Sequence, residues 1–231
     1  MDVQQAHEGA VSLLTQPDGE VTIEVVSDVV CPWCFIGRRR LAAAIEQVRR
    51  SRPGFVCRTL WRPFFLNADT PPAGEPYLPF LERKFGGRAA VEALFERVRT
   101  AGRASGIEFA FEKIAVRANT LKAHRLLHWA QARGDADALV ERLFVAQFQR
   151  GEHVGDPAVL ARLAGECGFD ADAAAAYLAS TRDEDLVRDM ERGFRERGIA
   201  MVPTFIVAGR RSVVGAEDPA VLADAIRDAL D

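Results

Sequence analysis

The sequence predicts an α/β protein: one small mixed sheet with helices, its chain interrupted by a large all-helical insertion. Three observations carry this expectation: a strand–helix–strand pattern over residues 21–62, helical periodicity through residues 66–189, and a strand–strand–helix pattern from residue 201 onward. Neither flanking piece has enough strands to bury a sheet on both faces. The economical solution is one sheet domain made of residues 21–65 and 190–231 together, with residues 66–189 inserted and residues 1–20 a polar leader.

Taken in order, VTIEVVSDVV has the β-branched density of a strand over 21–26, ended by Ser27 and Asp28. From Cys34 the period turns helical. Phe35, Ile36, Leu41, Ile45 and Val48 recur at spacings that share a face, while Arg38, Arg39, Arg49 and Arg50 lie largely off it. Pro53 and Gly54 stop this helix, FVCRTLWRPF supplies a second strand over 55–62, and FLNADTPPAGEP reads as a long loop leaving the sheet. Helices are expected at 77–85, 89–105, 120–133, 135–150, 157–167, 171–180 and 183–197. After Gly198, MVPTFIVAG and RRSVVG read as a hairpin, and DPAVLADAIRDAL as an amphipathic helix with Asp218 as N-cap and Pro219 at its first position.

With 231 residues, 48% of them hydrophobic and 27% charged, the chain is long enough and apolar enough to bury a core, which excludes disordered, collagenous and coiled-coil classes. A net charge of −3 offers no field to recruit nucleic acid or an anionic membrane, so neither is an expected partner. The first residues have no basic start and no long apolar run, which leads to the expectation of a cytoplasmic protein. Four cysteines are too few for a disulfide scaffold, and only Cys31 and Cys34 are close in sequence.

Those two thiols stand where a strand feeds a helix. Free N–H groups and the positive dipole end of the helix favour a thiolate at Cys31, the expected nucleophile. Cys34, one turn inward, can close a disulfide with Cys31 or resolve a mixed disulfide. Pro32 fits the helix start, Trp33 adds apolar surface, and Arg38 and Arg39 are candidate weak cations near the thiolate. Half a zinc site is the competing reading of CxxC, but no second CxxC or CxxH accompanies it, and His7, His124, His128 and His153 are scattered; no metal is expected. A second candidate element is Val202-Pro203-Thr204. Proline belongs at the first residue of its strand, a cis bond is one way to make a tight approach, and the Val202 N–H and C=O are then candidates to meet a bound peptide.

The segments SDVVCPWCFIGRRRL, NTLKAHRLLHWA and GIAMVPTFIVAGRRSVVGAEDP together resemble the DsbA-like family, and within it the FrnE-like thiol–disulfide oxidoreductases. The resemblance implies a thioredoxin-like domain with a helical insertion, Cys31 as attacking thiol, Cys34 as resolving thiol and Pro203 as a cis-proline opposite them. It also implies that Asn119, Thr120, His124 and Arg125 form a motif flanking the substrate cleft, although His124 reads more readily as a packed or hydrogen-bonded structural residue. The implied partners are protein or peptide thiols and disulfides. No cofactor is implied beyond the redox-active disulfide, with glutathione a candidate co-substrate.

In a reducing cytosol a strongly oxidising couple has no obvious re-oxidant, so reduction or isomerisation of wrong disulfides is as plausible as oxidation. A rival resemblance is to kappa-class glutathione transferases and 2-hydroxychromene-2-carboxylate isomerases, which generally carry serine at the first active-site position; Cys31 and Cys34 weigh against it. A chaperone-like peptide binder is the non-enzymatic alternative. Cys57 and Cys167 read as structural thiols, the Arg38-Arg39-Arg40 run as a solvated helix face, and Trp61, Phe64 and Phe65 as core rather than cleft.

Overall fold

The structure is a computed structural model and describes residues 20–231; the expected leader, Glu20 apart, lies outside the described residues. In chain order the elements are β1 (Glu20–Ser27), α1 (Pro32–Ser51), β2 (Val56–Pro63), β3 (Glu75–Pro76), α2 (Tyr77–Phe85), α3 (Arg88–Arg103), β4 (Val116–Arg117), α4 (Leu121–Gln131), α5 (Asp137–Val145), α6 (Pro157–Glu166), α7 (Ala171–Ala179), α8 (Glu184–Glu196), β5 (Thr204–Val207), β6 (Arg211–Val214) and α9 (Pro219–Leu230).

Alternation along β1 decides how the sheet is covered, because successive side chains point to opposite faces. Val21, Ile23 and Val25 join the main core, while Val26 packs with Phe64 and Phe194 in a smaller cluster on the other face. The sheet order is β2-β1-β5-β6. β1 runs parallel to β2, with Glu20 opposite Val56 and Ser27 opposite Pro63, and antiparallel to β5, which pairs antiparallel with β6. Helices α1 and α9 pack on each other, with α9 against β1, β5 and β6; α8 contacts β2 and supplies Phe194 to the smaller cluster. Among the described residues no helix is long and apolar enough to cross a membrane.

Side-chain caps follow the expected chemistry. Asp218 accepts from the Ala220 N–H at 2.9 Å with Pro219 next to it, and Asp156 and Asp170 cap α6 and α7 in the same way. The insertion is held to the sheet domain through α1: the Phe35 ring stacks on Phe144 at 5.2 Å and meets Phe109 edge-on at 6.0 Å.

Two expectations for the insertion need correction. It is not all-helical, since Glu75–Pro76 pairs antiparallel with Val116–Arg117. Two-residue strands are too short to leave a period in the sequence. The helix expected over 135–150 ends at Val145, and Ala146–Arg150 widens into a π-helical turn. Gly151 closes it at φ 68°, where a Cβ would lie 2.2 Å from the Lys113 carbonyl oxygen, so only glycine fits.

Cys57 on β2 is half-buried, and desolvation pushes its thiol up to about 12 from the ordinary 9.0. The folded chain therefore keeps a proton that the unfolded chain sheds above pH 9.0, so this group's contribution is intact below that pH and lost as pH rises towards 12. Urea titrations should show the stability of the natural protein falling faster than that of Cys57→Ala over this window.

Candidate active site

The strand-to-helix turn is shaped by backbone bonds before any side chain acts. Cys31 N–H donates to the Asp28 carbonyl at 3.0 Å, which folds the turn, and the Cys31 carbonyl accepts from Cys34 and Phe35, which starts α1. Cys31 is the N-cap, Pro32 follows at the first helical position, and no acidic residue in the first turn opposes the positive end of the helix. Both sulfurs are unbonded thiols, Cys31 4% and Cys34 1% exposed. Burial, then the neighbouring Cys31 sulfur, push the Cys34 thiol well above its ordinary value.

From the far end of the chain, the Val202–Pro203 peptide bond is cis. The Val202 carbonyl oxygen lies 3.9 Å from Cys31 Sγ. Thr204 ties this turn by donating to the Met201 carbonyl at 2.7 Å, and Gly215 N–H donates to the Pro203 carbonyl at 2.7 Å. The approach depends on Gly37 of α1, where a Cβ would stand 2.8 Å from Pro203 Cγ.

Cys31 sits at the floor of a cleft of ≈ 390 Å³. Its walls are Trp33 from α1, aromatic and aliphatic faces of α2 and α3, Phe111, and the 200–202 turn. Leu66, Phe85 and Met201 are exposed apolar residues at its rim. Arg117 is the buried charge in this wall: it pairs with Glu75 and with Asp69 at 2.6 Å, and its guanidinium stacks 3.6 Å from the Phe80 ring centre.

The model of the DSBA-like thioredoxin domain family matches residues 22–227. The chain belongs to that family. A curated relative, the uncharacterized protein YwbO of Bacillus subtilis, is 28% identical over 209 residues, covering 90% of this chain and 96% of its own. Among solved structures, a probable DsbA oxidoreductase from Streptomyces coelicolor superposes with a TM-score of 0.81 at 29% identity, covering 90% of this chain and 89% of that one. The cytosolic disulfide reductase DsbM of Pseudomonas aeruginosa, solved with GSH, has a TM-score of 0.60 at 19% identity and covers 90% and 95%, a likeness of fold. The DSBA-like fold class with its helical insertion is thus shown, and the family is one of thiol–disulfide oxidoreductases.

Within this DSBA-like frame the expected insertion motif goes elsewhere than the cleft. Asn119 donates to the Thr70 carbonyl at 2.7 Å and accepts from the Leu121 N–H at 3.1 Å, capping α4 from one residue outside the usual position, while Thr120 makes no side-chain cap bond. His124 is buried, with Nε2 3.3 Å from Asp28 Oδ1 and Phe65 edge-on to its ring. Arg125 is 0% exposed and donates to the carbonyls of Arg182, Tyr177 and Ser180 and to Glu184. None of these four residues lines the cleft beside Cys31. A buried guanidinium must be hydrogen-bonded, and here backbone carbonyls satisfy it.

The Arg38–Arg40 run is likewise not a free face. Arg38 and Arg39 pair with Glu141 of α5, and Arg40 donates to the Ala216 carbonyl, so these cations are committed to tertiary contacts rather than to the thiols. Trp61 and Phe64 are core, as expected. Residues that sequence reasoning missed are Asp28, whose carboxylate accepts from Leu66 N–H at 2.8 Å, and Gln147. Gln147, on the π-helical turn, is 2% exposed in the cleft wall and its Oε1 accepts no hydrogen bond from a described group. Widened turns of this kind recur at functional sites, and the overlong 135–150 helical pattern was the only hint.

Proposed function

We propose that this protein exchanges thiols and disulfides with protein or peptide substrates, Cys31 attacking and Cys34 resolving. The observation that carries this reading is the placement of Cys31 in an apolar cleft, with the buried Cys34 one turn along α1 and the Val202 carbonyl 3.9 Å from the Cys31 sulfur. Cys31 forms a mixed disulfide with the substrate, Cys34 displaces it, and the product is a Cys31–Cys34 disulfide. Trp33, Pro32, Val202, Pro203 and Thr204 shape the mouth. The aromatic walls support a substrate with apolar side chains beside its cysteine, because a cleft of this lining gains from burying them. Arg117 is already paired with Asp69 and Glu75, while the exposed Lys84 lines the same cleft and is a cation that a glutathione carboxylate can meet, which supports glutathione as a co-substrate. The FrnE-like assignment and action in the cytoplasm belong to the same reading, with reduction or isomerisation on an equal footing with oxidation; the SDVVCPWCFIGRRRL segment and the reducing poise of that compartment support it.

The test is the redox equilibrium of the purified protein against glutathione, read by mass after alkylation. A reversible two-electron couple confined to Cys31 and Cys34 is the expected result. Folded protein with no such couple would overturn the reading in favour of a glutathione-dependent or peptide-binding role.

A further inference from the structure

A buried polar group with no partner inside the protein costs folding free energy, and the wall of the Cys31 cleft holds one. Gln147 is 2% exposed, lines the same cleft as Cys31, and its Oε1 accepts no hydrogen bond from a described group. Its backbone is nevertheless fixed. Glu152 N–H donates to the Ala146 carbonyl at 2.8 Å, Ala110 N–H donates to the Phe148 carbonyl at 2.8 Å, and the buried Phe148 ring meets Phe109 edge-on at 5.4 Å. The π-helical turn thus commits Phe148 to the core and leaves Gln147 in the cleft wall. The terminal torsion of a glutamine is soft, so rotation about it turns Oε1 to the cleft. Arg117, the buried charge of the same wall, holds Glu75 and Asp69 through its two terminal nitrogens; its Nε is unpartnered, but that is a donor. Gln147 Oε1 is therefore the buried side-chain acceptor of this wall that lacks a donor among the described residues, and the donors that every peptide brings are its backbone N–H groups.

We propose that Gln147 reads the backbone of the substrate: its Oε1 accepts an N–H from the peptide segment that carries the target cysteine, so the cleft favours peptide disulfides over disulfides without peptide groups. The proposal rests on the exchange reading above and names the substrate feature that its cleft selects. Apolar side chains of the segment gain by lying against Phe80, Phe95 and Phe111, but a main-chain amide carried into the same wall loses water and needs an acceptor in return. Because the N–H is common to all residues except proline, the contact selects a peptide without selecting its sequence.

The test uses two disulfide probes, a short peptide whose single cysteine is linked to thionitrobenzoate, and dithiobis(nitrobenzoate), which has no peptide group. The Cys31 thiolate attacks the peptide sulfur, the bond to the nitrobenzoate sulfur breaks, and the electron pair leaves as a coloured thiolate. Cys34 then attacks Cys31 Sγ and displaces the peptide; the proton Cys34 loses is matched by the one the peptide thiol takes up, so the enzyme dithiol is oxidised and the probe disulfide reduced. Gln147→Met, which keeps the side-chain length and removes the acceptor, should slow capture of the peptide probe about 10-fold and leave the reaction with dithiobis(nitrobenzoate) unchanged. Methylating the backbone nitrogens of the peptide one at a time should slow the natural protein about 10-fold at the position that Gln147 meets, and far less at that position in Gln147→Met, as expected of two groups in contact. Equal slowing of both probes in Gln147→Met, an unchanged peptide rate, or a methylation effect of the same size in both proteins at every position overturns the proposal. Gln147→Ala repeats the test if the methionine variant does not fold, and loss of fold in both variants would overturn the proposal by making Gln147 structural. Failure of the natural protein to release coloured thiolate from either probe instead overturns the exchange reading itself.

Discussion

Cys31→Ser is expected to lower disulfide exchange by roughly 10³-fold or more, the scale of loss when a covalent nucleophile is removed. The hydroxyl is close in size to the thiol, and the N-cap geometry of Cys31 rests on its backbone, so the fold should be kept. Cys34→Ser should behave differently. It retains the attack by Cys31 but has no thiol to resolve the product, so the substrate should stay attached and be visible as added mass. The pair of variants therefore reads out which sulfur attacks. Retained exchange in Cys31→Ser would sink the assignment; a Cys34→Ser protein that accumulates no adduct would deny Cys34 the resolving role. A double variant that keeps its biological effect would point to the peptide-binding alternative, for which the exposed apolar rim at Leu66, Phe85 and Met201 is the supporting surface.

The second large effect is on stability. Arg125→Ala should cost about 3–5 kcal/mol, as expected when one partner of a buried charged network is removed. The carbonyls of Ser180 and Arg182 lose the Arg125 donor, that of Tyr177 is left with Ser180 alone, and Glu184 loses its cation at 3.1 Å. Arg125→Lys should recover only part of the loss, because one ammonium cannot reproduce the planar fork that reaches all of these acceptors. Urea denaturation measures the cost, and exchange rates per folded molecule should stay near those of the natural protein. A stable Arg125→Ala protein with impaired exchange would restore the cleft role that the motif implied.

These two residues mark the line between what could and could not be read from the chain. Cys31, Pro32 and Cys34 were legible because their chemistry is local: a strand end, a proline and a helix start place two thiols one turn apart whatever surrounds them. Pro203 was legible for a similar reason, as a proline at the head of a strand. Arg125 was not. On α4 it follows His124, and nothing in LKAHRLLHWA distinguishes a guanidinium that faces a substrate from one that satisfies backbone carbonyls 52–57 positions later. The Arg38–Arg40 run misled for the same reason, since exposure of a basic side chain depends on whether an acid such as Glu141 arrives beside it.

Taken alone, the sequence determined the α/β class, the helix cap at Asp218 and the dithiol turn, all set by periodicity or by residues within a turn of one another. Tertiary structure alone decided that Val202 meets Cys31 across 171 positions and that α2, α3 and the turn bearing Gln147 wall the cleft. The physical reason is the same in each case. Backbone preferences act over a few residues, whereas burial of Phe35 against Phe144 and Phe109, which seats the insertion over the sheet domain, is a contact whose partners no local signal names.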